Sequence, residues 1–148
     1  MSLTDLQLRN VQEFMDEVTA RQSIAPDSVT LVVVDQPATR QRILAIRRLD
    51  VPPSPHEQPD LSRLLHDEMQ TLPIPPWQRD LRTIVVTIIG RSGFNVWTSI
   101  ESTWAMGWRY SNHLTGAFDG EIVVVTEHGW AALFTEVGGG QPALERSA

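Results

Sequence analysis

Cysteine and lysine are both missing from the chain, and each absence removes chemistry. Without cysteine there are no disulfides, thiolate nucleophiles, cysteine-based zinc sites or cysteinyl iron–sulfur clusters. All twelve basic residues are arginine, so no amine exists for a Walker A loop, a kinase-type phosphate-pairing lysine or a Schiff base. Apolar runs reach only a few residues, as at Val32 to Val34 and Ile122 to Val125, against roughly 20 for a bilayer span. The first residues carry Asp5 rather than a cationic start followed by an apolar stretch. A secretory leader is therefore not expected, and a soluble cytoplasmic protein without a membrane partner is.

What is present is an ordinary globular balance: 148 residues, 41% hydrophobic and 20% charged, with a net charge of −6. That is one domain's worth of chain with enough apolar residues for a real core. The acidic total repels phosphate backbones, yet Arg40, Arg42, Arg47 and Arg48 make a local basic strip. Such a strip reads either as a nucleic-acid contact or as a charged edge strand that blocks edge-to-edge pairing. The edge strand is the expectation.

Periodicity divides the chain further. Thr4 and Gln7 have capping-box form, and Leu8, Val11, Met15 and Val18 share a helical face, which predicts a helix from about Thr4 to Arg21. Val29–Val34 and Arg42–Arg47 read as a hairpin around Asp35-Gln36-Pro37-Ala38. Residues 51–59 hold four prolines in nine positions and read as a connector inside the domain. Asp60 is placed to cap a second helix to about Thr71, with Leu61, Leu64, Leu65, Met69 and Leu72 as its stripe. Thr83–Ile89 and Phe94–Thr98 read as a second hairpin across Gly90–Gly93. Thr98 and Glu101 form a capping box opening a third helix to about His113. Glu121–Thr126 and Trp130–Glu136 read as a third hairpin turning at His128-Gly129.

The resulting expectation is a single α+β domain over residues 1–136, in the order α-ββ-α-ββ-α-ββ. A largely antiparallel sheet of about six strands packs with three helices, and residues 137–148 form a Gly-containing flexible tail. The central strands are apolar on both faces. In the second hairpin Val85, Thr87 and Ile89 alternate with Ile84, Val86 and Ile88; in the third, Val123, Val125, Trp130, Ala132 and Phe134 alternate with Ile122, Val124, Ala131 and Leu133. Both sheet faces must then be covered, by helices split across them or by helices on one face and a partner, most simply a second copy, on the other.

The densest polar and aromatic stretch is Trp104 to His113, followed by Asp119, Glu121, Glu127 and His128. As a pocket it would gather Trp104, Trp108, Arg109 and His113. His113 would be a general base oriented by Asp119 or Glu121, Arg109 an anion contact and Ser111 a nucleophile. The plainer reading makes the tryptophans core or interface anchors and His113 a helix-end residue. A metal site joining His113, His128 and one of Asp119, Glu121 or Glu127 lacks any familiar ligand spacing, so neither metal nor cofactor is expected. His56 and His66 have no evident partner, and Trp77 reads as an anchor for the proline segment before it. Three functional expectations follow. The first is a small acidic protein-interaction or regulatory module that self-associates or binds a partner protein. The second is a small enzyme or ligand-binding domain at Trp104, Trp108, Arg109 and His113, and the third is nucleic-acid contact through Arg40 to Arg48.

Overall fold

Asn10 starts the first helix, α1 (Val11–Arg21), in the computed structural model, which describes residues 6–72, 83–111 and 118–145. Its side chain accepts from the Glu13 amide at 3.0 Å, filling one of the orphan donors of the first turn. The residues before it are held elsewhere. The Asn10 amide donates to the Gln41 side chain at 2.8 Å, and the Arg9 amide to the Pro37 carbonyl. The helix therefore begins later than the apolar spacing suggests, although Leu8 is still buried beside Val11, Met15 and Val18. Thr4, the expected cap, lies outside the described residues.

The remaining elements are β1 (Ser28–Asp35), β2 (Arg42–Arg48), α2 (Gln58–Thr71), β3 (Thr83–Gly90), α3 (Ser99–Arg109), β4 (Phe118–Thr126), β5 (Gly129–Ala132) and β6 (Val137–Gly139). One sheet has the order β2-β1-β3-β4-β5-β6. Every neighbouring pair is antiparallel except β3 and β4, which run parallel. The fold is thus an α+β domain of three helices and a six-stranded, mostly antiparallel sheet among the described residues. No described helix is long and apolar enough to cross a membrane.

Two of the three expected hairpins are present, β1–β2 and β4–β5. At the second, Gly129 supplies a φ of +123° at the tight turn. The middle one is not. Phe94 to Thr98 leave the sheet, and α3 carries the chain over to β4 as a crossover, the connection that a parallel pair requires. The sixth strand comes instead from the expected tail: Val137–Gly139 pair with β5, and Leu144 is buried, its amide donating to the Thr126 carbonyl. Burying that leucine gives the polar, glycine-rich C-terminal segment an apolar anchor.

The doubly apolar strands are covered by the chain itself. On one face, Phe14, Met15 and Val18 of α1 pack with Val32, Val34, Val86, Ile88, Val123, Val125 and Trp130. On the other, Leu61, Leu65 and Met69 of α2 and Trp104 and Trp108 of α3 pack with Val29, Leu31, Val33, Val85, Ile89 and Ile122. The helices split across the sheet, so covering it requires no second copy. Gly107 sets the α2–α3 crossing: a Cβ there would lie 3.0 Å from that of Leu61, while the Gly107 carbonyl accepts from Ser62 at 3.0 Å.

Candidate functional site

Trp104 and Trp108 belong to the core. Trp104 is fully buried and its indole N–H donates to the Pro53 carbonyl at 2.8 Å; Trp108 donates to the Thr87 hydroxyl at 2.7 Å. Each amphipathic ring has its one polar group satisfied inside the protein. Arg109 points away, exposed, with its guanidinium 5.8 Å from the Tyr110 ring centroid. Ser111 is buried and donates to the Trp108 carbonyl. His113 lies outside the described residues, as do Trp77 and the side chain of Asp119. Among the described residues no three of His, Asp or Glu stand close enough together to hold a metal ion.

Glu121 is occupied structurally. It is buried, and its carboxylate accepts from the amides of Ile122, Phe134 and Thr135 and from the Thr135 hydroxyl, at 2.7 to 3.1 Å. It thereby fixes the turn after β5. The other histidines have partners too. His56 lies 2.6 Å from the Pro52 carbonyl and edge-on to Trp104, and His66 lies 3.0 Å from the Ser111 carbonyl.

The four arginines of the basic strip sit on and just before β2, which is an edge strand. Arg47 donates to Glu68 and Thr71, Arg48 to the Ser23 carbonyl, and Arg42 stands 3.8 Å from Asp35. Three of the four charges are tied to acceptors of the same chain, as a guarded sheet edge requires.

The feature that no motif announced lies between β3 and α3. Arg91 is buried and spends all five N–H donors: two on Glu101, at 3.0 and 2.7 Å, and three on the carbonyls of Ser92, Phe94 and Val96. Glu101 is fully buried, accepts this fork, and also closes the capping box on Thr98. A guanidinium that collects alternate carbonyls keeps the chain from 92 to 96 out of the sheet ladder, which is why the expected strand is a loop.

That loop runs along β5. Its Gly93 amide points at the Glu127 carboxylate, Phe94 stacks on His128 with centroids 5.0 Å apart, Asn95 donates to the Trp130 carbonyl, and Trp97 packs 6.1 Å from Phe134. The Trp97 indole N–H donates to Ser102 on α3. Held at both ends, the loop displays its apolar side chains: Phe94 is 69% exposed, Val96 57%, Trp97 43%, and Phe134 on the adjoining turn 55%. The alternation of Phe94, Val96 and Thr98 resembles a strand locally. The signal that separates the two is the long-range pairing of Arg91 with Glu101. The chain matches no protein-family model, no curated protein and no solved structure.

Proposed function

We propose that the chain is a protein-interaction module that docks through the ridge formed by Phe94, Val96, Trp97 and Phe134. One observation carries the reading. Large apolar side chains are exposed together on backbone fixed by two buried carboxylates and a fully engaged arginine. Contiguous apolar surface is costly to leave wet and marks contact sites. Aromatic residues supply most of the energy at such contacts, and a braced loop loses little freedom on binding.

The test is site-specific crosslinking in cells that make the protein. A photoreactive phenylalanine analogue is placed at position 97 and, as a control, at Ala20, exposed on α1 across the sheet. Illumination is expected to give covalent adducts of discrete mass from position 97 and none above background from position 20. Equal labelling at both positions would remove the reading.

A further inference from the structure

A carboxylate is fixed beside the Phe94 end of the ridge. The Gly93 amide points at both oxygens of Glu127, 3.3 Å from each. The next residue, His128, stands 3.7 Å from Glu127 through its Nε2 and carries Phe94 stacked on its ring at an interplanar angle of 17°. Glu127 is thus held by the same loop and turn that hold the exposed ring. Positive charge is scarce in these segments. Residues 92–98 and 127–137 include no arginine, and Arg91, whose guanidinium reaches the carbonyls of the loop, is buried in a forked pair with Glu101. One face of Phe94 lies on His128 while 69% of the residue remains exposed, so its other face is open. This end of the ridge therefore sets an open aromatic face and an acidic group side by side.

Resting on the docking reading above, we propose that the partner is a protein segment that is basic at the point of contact and lays an arginine over Phe94, with its guanidinium turned to Glu127. The face of an aromatic ring is the negative part of its quadrupole and attracts a cation. A guanidinium is planar and weakly hydrated, so it stacks on such a face while its edge donates to a carboxylate; a lysine ammonium is a compact, strongly hydrated point charge without that fork. Val96, Trp97 and Phe134 then meet the apolar residues that flank the arginine. The rest of the chain favours the same sign of partner, since a net charge of −6 draws a basic molecule from a distance and repels a second copy.

Two measurements on the full chain test this. In the first, a short glycine–serine peptide carrying several arginines is titrated into the isotope-labelled protein and followed by amide chemical shifts. Saturable shifts are expected at Gly93, Phe94 and His128 with a Kd of about 0.1 to 1 mM, and none at exposed Asp16 on α1. Glu127→Gln and Phe94→Ala should each weaken binding about three-fold, and the same peptide with citrulline, the uncharged isostere of arginine, should not bind. Matching circular dichroism and melting curves will confirm that the variants fold. Shifts spread equally over α1, equal binding of the citrulline peptide, or no shift at the ridge overturns the basic partner. In the second, the photoreactive residue at position 97 is combined with Glu127→Arg, which should cut the adduct yield about ten-fold or more by placing like charges together. A yield that this reversal leaves unchanged, or an adduct of twice the chain's own mass, overturns the basic partner and leaves the docking reading standing. If position 97 forms no adduct in either background, the docking reading falls and this inference with it.

Discussion

Trp97 and Trp104 stand seven residues apart and face opposite fates. Trp104 is fully buried between α2, α3 and the proline connector, its N–H held by a backbone carbonyl. Trp97 is nearly half exposed, and its N–H reaches only the surface hydroxyl of Ser102. The first belongs to the core and the second lies at the surface. What separates them is the capping box at Thr98 and Glu101: helix geometry after it turns Trp104 inward, while the Arg91 clamp before it turns the loop outward.

The contrast can be broken most severely from the buried side. Trp104→Ala should lose about 3 to 5 kcal/mol, because the cavity left among Leu61, Leu65 and the connector cannot collapse fully. Denaturant unfolding monitored by circular dichroism reads this as a lowered midpoint at unchanged slope. Arg91→Ala should fall in a similar or slightly smaller range, about 3 kcal/mol or more, because it leaves Glu101 charged, buried and unpaired. Substituting both partners, Arg91→Met with Glu101→Leu, sharpens the point. Removing the charge problem should restore part of the stability. The carbonyls of Ser92, Phe94 and Val96 still lose their donors, so limited proteolysis within 92–97 should remain faster than in wild type.

A middle-sized effect is expected at the second clamp. Glu121→Ala frees the amides of Phe134 and Thr135 and the Thr135 hydroxyl at once. The expected loss is about 1 to 3 kcal/mol, below that of Arg91 because the groups released are neutral and lie near solvent. Amide exchange should rise at 134 and 135 while β4 and β5 stay protected; uniform loosening of both strands would show that Glu121 supports the sheet rather than the turn.

These same residues mark how far the sequence could be read. The stripe Leu61, Leu65 and Met69 marks α2 and the Thr98–Glu101 pair marks α3, because each signal is local or periodic; the doubly apolar β3 and β4 demand cover on both faces but leave open whether helices or a partner supply it, and the structure supplies helices. The parallel β3–β4 pair was not legible. It depends on where the chain goes after Gly90, and that is decided by Arg91 finding Glu101 ten residues on and by carbonyls that no side-chain pattern records. The same blind spot hid the candidate surface. Phe94, Val96 and Trp97 carry the apolarity of a strand, and only the clamp makes them a ridge. Four-residue spacing puts Trp104 and Trp108 on one side of a helix, which suits a binding pair as well as the core anchors that the plainer reading makes them. The spacing does not say that α2 lies against that side, closely enough for Gly107 to be required.

The smallest expected effect on stability is the most informative about function. Trp97→Ala removes a large ring from the surface, with one hydrogen bond to Ser102 and one contact to Phe134. Much of that ring is already wet in the isolated chain, so little apolar area returns to water, and the loop backbone is held by Arg91 rather than by the indole. Unfolding should therefore change by no more than about 0.5 to 1 kcal/mol, in the range of surface substitutions. Association should respond in the opposite proportion. At the centre of a contact, an aromatic anchor typically carries about 2 kcal/mol or more, so affinity for a molecule docked on the ridge should weaken at least roughly thirty-fold. A variant that loses stability as heavily as Trp104→Ala would place Trp97 in the core and erase the distinction between the two tryptophans. One that keeps both its stability and its association would show that the ridge, however well braced, touches nothing at this position.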